Sequence, residues 1–189
     1  MNLTIINKAV RVGMCLMLAF LTVLGTPALA QGPKAWTTVA SAGTVNESDL
    51  DIVNLSGGGV ASLVNGNDAV TGHIRFNVVA TDGLFDFGVP RMKVRFNDNG
   101  NNAQVKVMLF RINLNTGLPE KILELDSDDY AASAASQSQT TAPCAATAGF
   151  NFSNHAYYIE AQLIRSGAGG YPKLTSIQLY NDNIGQTCH

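Results

Sequence analysis

Apolar and polar side chains alternate most regularly over residues 157–165. One side of this segment carries Tyr157, Ile159, Ala161 and Leu163, and the other carries Tyr158, Glu160 and Gln162. A period of two is typical of a β-strand with one buried face. The same pattern predicts further strands over residues 50–55, 73–80, 92–96, 103–109, 121–126 and 174–180.

Clusters of Gly, Asn, Ser and Pro separate these segments and indicate turns. Between residues 31 and 189 no stretch has the apolar spacing of a helix. Nine or ten short strands with regular turns predict an all-β fold, an antiparallel two-sheet β-sandwich. The number of strands favours a jelly roll, with an immunoglobulin-like topology as the alternative.

Two pairs of strands are predicted to form hairpins. The first joins residues 92–96 and 103–109 through an Asn-rich loop, and the second joins residues 158–164 and 174–180 through the Gly-rich segment 166–172. The predicted register of the second hairpin has five cross-strand pairs: Ile159 with Leu179, Ala161 with Ile177, Tyr158 with Tyr180, Glu160 with Gln178, and Arg165 with Lys173. The first two pairs face the core, the next two face outward, and the last lies in water at the turn. A slip of one residue would expose the apolar face.

The segment 127–147 is rich in Ala, Ser, Gln and Thr. A structureless loop of this length is uncommon inside a compact domain. We therefore expect a polar edge strand over residues 136–141, with a mobile loop anchored by Cys144 as the alternative.

Residues 1–30 have the three parts of a secretory signal peptide. Lys8 and Arg11 precede an uncharged apolar run over residues 12–25, and Ala28-Leu29-Ala30 has the form of a cleavage site. The apolar run has 14 residues, which is below the roughly 20 that span a bilayer. We expect a single domain over residues 31–189, secreted or periplasmic, with no stable membrane insertion after cleavage.

The net charge bears on which classes of partner the protein can bind, and the cysteines bear on how the mature chain is cross-linked. Removal of Lys8 and Arg11 leaves ten of the 12 basic residues and all 14 acidic residues, a net charge of −4. A mildly acidic chain with few and scattered cations is a poor candidate for binding nucleic acid or anionic lipid. The two cysteines of the mature chain, Cys144 and Cys188, predict a structural disulfide in an exported protein.

No catalytic constellation is visible along the chain. His73, His155 and His189 lack partners at the spacing of a triad, and the strand carboxylates Glu124 and Glu160 are isolated in sequence. We therefore predict that the protein is not an enzyme. No cofactor is indicated, although Asp126, Asp128 and Asp129 are weak calcium-ligand candidates because Ca²⁺ prefers carboxylate oxygens.

The favoured function is an exported, non-catalytic binding module for carbohydrate or for a cell-surface partner. The candidate ligand-binding residues are Tyr158, Glu160, Gln178, Tyr180 and Trp36. At the level of fold class only, the chain resembles carbohydrate-binding modules, and it contains no motif of a particular family. The main alternative is a structural subunit or accessory protein of an extracellular matrix, appendage or surface layer; an enzyme is the less favoured one. The oligomeric state is left open.

Overall fold

A computed structural model describes residues 35–80, 84 and 89–181, and within these ranges nearly all regular structure is β-strand. The strands are β1 (Trp36–Val39), β2 (Thr44–Val45), β3 (Val53–Leu55), β4 (Ala61–Leu63), β5 (Val70–Val78), β6 (Pro90–Asp98), β7 (Ala103–Asn113), β8 (Pro119–Asp126), β9 (Ser133–Thr140), β10 (His155–Arg165) and β11 (Lys173–Asn181). Three short 3₁₀ turns cover Ala40–Ala42, Glu47–Asp49 and Ser127–Asp129. Among the described residues, no helix has the length and apolar character needed to cross a membrane.

The strands form two antiparallel sheets with jelly-roll connections. The six-stranded sheet has the order β3-β4-β11-β6-β9, with β1 added beside β11, and the five-stranded sheet has the order β2-β5-β10-β7-β8. From β4 to β11, each step along the chain crosses to the other sheet except the β7–β8 hairpin. The predicted antiparallel β-sandwich is confirmed, and the connectivity is that of a jelly roll.

The core lies between the facing sides of the two sheets. Strand β10 contributes Ile159, Ala161 and Leu163, and β11 contributes Ile177 and Leu179, all fully buried. Each large apolar side chain removed from water in this way contributes roughly 1.5–3 kcal/mol to stability. The alternation in the sequence therefore identifies correctly which side of β5, β6, β7, β10 and β11 faces inward.

The predicted pairing of β10 with β11 is wrong. Strand β10 lies between β5 and β7, so that Ile159 pairs with Phe76 and Leu109. Strand β11 belongs to the other sheet, where Leu179 pairs with Met92 and Trp36. Two strands that each have one apolar side can bury those sides as neighbours in one sheet or opposite each other in two facing sheets. The alternation of apolar and polar residues in the sequence is the same in both cases.

The predicted hairpin of β6 with β7 is wrong for the same reason, because β6 pairs with β11 and β9 while β7 pairs with β10 and β8. The connections β6–β7 and β10–β11 instead cross between the sheets side by side. The Ser166 amide donates to the Asn102 carbonyl at 3.0 Å, the Asn102 side-chain amide donates to the Ala168 carbonyl at 2.9 Å, and the Tyr171 amide donates to the Asn99 side chain at 2.8 Å. These bonds satisfy backbone groups that a hairpin would otherwise pair.

Arg165 is buried rather than exposed at a turn. It is 5% exposed, its Nε donates to the Asp68 carbonyl at 2.8 Å and one terminal nitrogen donates to the Val64 carbonyl at 2.8 Å. Its pairing partners are Val70 and Ala103, so the predicted pairing with Lys173 is wrong. The guanidinium fastens the loop between β4 and β5 to the end of the core.

Two other expectations have different outcomes. The polar segment forms β9, which is an edge strand of the six-stranded sheet, as expected. The strand predicted over residues 50–55 is shorter, because residues 47–49 form a 3₁₀ turn and only Val53–Leu55 is extended.

The predicted signal peptide and Cys188 lie outside the described residues, so cleavage and the Cys144–Cys188 disulfide stay predictions.

The close approach of the two crossing loops predicts that Gly170→Ala is destabilising. A methyl group at Gly170 would lie 2.0 Å from the Asn102 carbonyl oxygen, which is backbone and cannot move independently. Overpacking of this kind costs about 1–3 kcal/mol. Chemical denaturation measures the effect, and Gly57→Ala is the matched control because a methyl group there has no neighbour within 4 Å. Equal stability of the two variants would contradict the placement of the loops.

Candidate functional site

The four residues predicted to form one outer patch lie on two different surfaces. Tyr158 and Glu160 point outward from β10, on the five-stranded sheet, while Gln178 and Tyr180 point outward from β11, on the six-stranded sheet. The whole core separates the two pairs. A single patch of all four residues is therefore excluded, because the β10–β11 hairpin on which it depended does not exist.

Trp36 is placed on the core side of β1. It pairs with the fully buried Leu179 of β11, and it packs partly buried against the core cluster. This environment suits an apolar side chain that closes the edge of the core. It leaves little of the indole face for stacking on a ligand.

The outer surface of the five-stranded sheet gathers aromatic and polar side chains around Tyr158. We call this surface the Tyr158 face and define it by Arg75 of β5, Phe110 of β7, and Tyr158, Glu160 and Gln162 of β10. The register places Phe110 directly beside Tyr158 and Arg75 directly beside Glu160. Because β10 is the central strand of this sheet, it has a neighbour on each side from which these partners come.

Phe110 and Tyr158 form a parallel aromatic pair. Their ring centroids are 5.1 Å apart and their planes differ by 8°. The Arg75 guanidinium carbon lies 5.9 Å from the Tyr158 centroid, within the range of a cation–π contact. Burial and the nearby Glu160 charge raise the pKa of the Tyr158 hydroxyl, although Arg75 opposes them. The phenol therefore stays protonated and can donate a hydrogen bond at neutral pH.

Glu160 is held in place by two neighbouring side chains. Arg75 donates from Nε and from one terminal nitrogen to the same Glu160 oxygen, at 3.3 Å each, and Gln162 donates to the other oxygen at 3.1 Å. The Glu160 side chain is only 15% exposed, whereas that of Arg75 is 55% exposed. These hydrogen bonds hold the Arg75 guanidinium, the Glu160 carboxylate and the Gln162 amide in fixed positions on the surface without a ligand.

The calcium candidates lie at the end of β8, and one of them is already engaged. Lys106 contacts the Asp126 carboxylate at 2.9 Å, Gln104 donates to it at 2.8 Å, and the Asp128 amide donates to it at 3.1 Å. Burial raises the pKa of Asp126, but the bonds from Lys106 and Gln104 outweigh it and hold the pKa below its usual value. Among the described residues, no group of three or more His, Cys, Asp or Glu side chains is arranged to hold a metal ion. The calcium hypothesis stays untested.

Asp49 and His73 form a pair that the sequence did not suggest. Asp49 is buried, and one of its oxygens accepts from the His73 backbone amide at 2.8 Å and contacts His73 Nδ1 at 2.7 Å. Ser48 Oγ donates to the other oxygen at 2.8 Å. The two residues are 24 positions apart, so only the pairing of β2 with β5 shows that they meet. The pair ties the 3₁₀ turn before β3 to the edge of the Tyr158 face.

A separate hollow of about 480 Å³ lies at one end of the sandwich. Its lining includes Asn54, Asn65, Asn99, Tyr171 and Lys173. None of the residues predicted to bind a ligand lines it.

Comparison with known proteins yields structural likeness alone. No protein-family model matches the chain, and no curated protein sequence matches it. The xylan-binding module CBM15 is similar in structure with a TM-score of 0.46 and 10% identity, over 80% of this chain and 99% of that chain. A family two carbohydrate esterase from Cellvibrio japonicus has a TM-score of 0.38 and 15% identity over 79% of this chain, which spans 34% of the esterase. Infectious bursal disease virus, Gt strain, has a TM-score of 0.35 and 10% identity over 82% of this chain and 35% of that chain.

The Asp49–His73 pair predicts a specific pH dependence of stability. Burial raises the pKa of Asp49, but the bonds from His73 and Ser48 hold it below its usual value. A carboxyl with a lowered pKa contributes stability above the pKa of the unfolded chain, about 3.9, and this contribution disappears as the pH falls through the folded-state pKa. Asp49→Asn should therefore cost about 1–3 kcal/mol at pH 7 and should flatten the loss of stability below about pH 5.

Denaturation midpoints from pH 7 to pH 2 measure this effect, with Asp51→Asn as the control because Asp51 is an exposed aspartate two residues away. The same acid-side slope for Asp49→Asn and the unaltered protein would show that the pair carries no such linkage.

Proposed function

We propose that this protein is an exported, non-catalytic binding module that holds a neutral glycan on the Tyr158 face. The observation that carries the proposal is the ordered contact set of Arg75, Glu160 and Gln162 beside the Phe110–Tyr158 pair. These side chains lie on the outer surface of the five-stranded sheet, on its central strand and the two strands beside it, where they are reachable from solvent and fixed by their neighbours.

The chemistry of this face fits a sugar ring. A sugar presents apolar C–H groups, which pack on aromatic side chains, and a rim of hydroxyls, which both donate and accept hydrogen bonds. Guanidinium, carboxylate and amide groups offer several donors or acceptors in one plane and so suit adjacent hydroxyls. Because the polar groups already hold one another, little side-chain freedom is lost on binding.

The charge balance of the face favours an uncharged ligand. Arg75 pairs with Glu160 at 3.3 Å, Lys106 pairs with Asp126 at 2.9 Å, and Lys121 pairs with Glu124. Each of these three cations on the outer surface of the five-stranded sheet is thus matched by a carboxylate. A neutral glycan can bind here without leaving a charge unpaired.

The engagement of Glu160 supports binding rather than catalysis. A glycosidase uses two carboxyl groups on either side of the bond that it cleaves. Both oxygens of Glu160 already accept hydrogen bonds, one from Arg75 and one from Gln162. A carboxylate tied in this way is suited to positioning a ligand hydroxyl.

A second candidate function is assembly through β9. This strand lies at the edge of the six-stranded sheet, pairs with β6 on one side and consists of uncharged Ser, Ala, Gln and Thr. An uncharged edge can pair with a strand of another chain. Light scattering of the purified protein tests this candidate. A concentration-dependent oligomer that Ala135→Lys abolishes without lowering the melting temperature is expected for edge pairing, because Ala135 is exposed and a lysine on an edge strand hinders pairing with another chain.

Export also belongs to this proposal. The mature protein should begin at Gln31 and carry a Cys144–Cys188 disulfide, which would contribute roughly 4 kcal/mol by restricting the unfolded chain. Intact-mass measurement of protein recovered outside the cytoplasm, before and after reduction and alkylation, checks both points. A species that retains residues 12–25, or two thiols that react without reduction, would contradict the proposal.

Binding of neutral oligosaccharides is the direct test of the Tyr158 face. A glycan array should give a reproducible neutral ligand, and Tyr158→Ala with Glu160→Ala should weaken binding of that ligand at least about tenfold, because both the aromatic contact and the hydroxyl acceptor are lost. The fold should be retained, since both side chains lie outside the core.

The matched control is Tyr171→Ala with Glu47→Gln, which removes an exposed tyrosine and an exposed acid elsewhere on the surface. Binding that the control variant loses and the Tyr158 variant keeps would refute the assignment, as would an array without any neutral ligand.

A further inference from the structure

The sequence contains two Asn-Gly dipeptides, Asn65-Gly66 and Asn99-Gly100, and both asparagines line the hollow at one end of the sandwich. Asparagine is a chemically labile residue. The amide nitrogen of the next residue can attack its side-chain carbonyl carbon, which closes a ring and releases ammonia. Glycine in the next position allows this closure because it has no Cβ to restrict the backbone or to crowd the ring. The same reaction is open to both pairs by sequence, so their surroundings in the fold decide between them.

The Asn99-Gly100 pair is held in a way that opposes the reaction. The Gly100 amide donates to the Asp98 carbonyl at 2.9 Å, and the Asn99 side-chain oxygen accepts from the Tyr171 amide at 2.8 Å. The bond to Tyr171 anchors the Asn99 side chain, which is half-buried, on the neighbouring loop. Ring closure must therefore break a hydrogen bond of the attacking nitrogen and a hydrogen bond of the attacked side chain.

The Asn65-Gly66 pair lies in the loop between β4 and β5, where its reacting groups are unrestrained. Asn65 is exposed and forms a bend outside both strands. Among the residues that the structure describes, none forms a hydrogen bond with the Asn65 side chain or with the Gly66 amide. Rotation of the Asn65 side chain can therefore bring its carbonyl carbon to the Gly66 nitrogen without loss of a bond in the fold.

Arg165 supplies a positive charge beside the Gly66 backbone. A methyl group at Gly66 would lie 2.7 Å from a terminal nitrogen of Arg165, so the guanidinium lies directly against this glycine. The other guanidinium nitrogens donate to the carbonyls of Val64 and Asp68, which fixes the chain on either side of Asn65 and Gly66. The Gly66 amide must lose its proton to attack, and a nearby cation favours the anion that results.

We propose that Asn65 is a selective site of spontaneous deamidation and that the fold protects Asn99 from the same reaction. A bond forms between the Gly66 nitrogen and Asn65 Cγ, and the bond from that carbon to the side-chain nitrogen breaks. The amide proton of Gly66 ends on the departing ammonia. One water molecule then opens the ring and leaves aspartate or isoaspartate at position 65, so water is the only co-reactant.

The product changes the charge of the hollow at this end of the sandwich. Lys173 is the one charged side chain among the described residues that line it. A carboxylate at position 65 adds a charge of opposite sign to that lining. Isoaspartate also lengthens the backbone by one carbon between the two carbonyls that Arg165 holds. None of this rests on the proposed binding of a glycan by the Tyr158 face, which lies elsewhere on the surface.

Peptide mapping of the full chain after incubation at mildly alkaline pH is the experiment. Trypsin separates the two sites, because cleavage after lysine and arginine places Asn65 within residues 35–75 and Asn99 within residues 96–106. Fragmentation in the mass spectrometer assigns the converted residue. We expect Asn65 to convert at least about tenfold faster than Asn99, since two hydrogen bonds, each equivalent to a factor of about five, hold the second pair. Isoaspartate should be present, because direct hydrolysis without a ring gives aspartate alone.

Two controls separate the effect of the fold from that of the dipeptide. In guanidinium chloride, where neither pair keeps its folded contacts, the two sites should convert at similar rates. Asn65→Ser should abolish conversion at position 65 and leave the melting temperature unchanged, because the Asn65 side chain is exposed. The proposal is overturned if Asn65 keeps its amide in the folded protein, if Asn99 converts as fast as Asn65 there, if denaturant leaves the ratio of the two rates unchanged, or if the product contains no isoaspartate.

Discussion

The apolar packing between the two sheets is the interaction on which the rest of this structure depends. Ile159 and Leu163 on β10 and Ile177 and Leu179 on β11 are fully buried on the inner sides of opposite sheets. Because each strand has one side in this core, its other side must face solvent. The Tyr158 face on the five-stranded sheet and the outer surface of the six-stranded sheet are therefore separate because β10 and β11 face each other across the core.

Much of the fold could be predicted because burial leaves a period of two in the sequence. The inward residues of β5, β6, β7, β10 and β11 are those that the alternation indicates, and the number of short strands favours a jelly roll over an immunoglobulin-like topology. The neighbours of each strand could not be predicted in this way. Ile159 is equally well buried beside Leu179 or opposite it. The hydrogen bonds that favour the crossing, one accepted by Asn99 and one donated by Asn102, lie in loops without any periodic pattern.

The composition of the candidate site depends on which strands are neighbours, and this could not be predicted from the sequence. Tyr158 and Glu160 were identified as outward residues correctly, but their partners Arg75 and Phe110 come from β5 and β7, which the sequence does not place beside β10. Charge distribution shows the same limit. The cations of the chain look scattered along the sequence, yet Arg75, Lys106 and Lys121 share the outer surface of the five-stranded sheet, where each lies beside a carboxylate.

The placement of β10 and β11 in opposite sheets is the central claim, and cross-strand nuclear Overhauser contacts between backbone protons measure it most directly. Paired strands lie about 4.7–4.9 Å apart, whereas facing sheets are about 10 Å apart, so only paired strands give such contacts. In an isotope-labelled sample, Ile159 should show backbone contacts to Phe76 and Leu109, and Leu179 should show them to Met92 and Trp36. Backbone contacts between Ile159 and Leu179 would contradict the account, because they would place β10 and β11 in a single sheet.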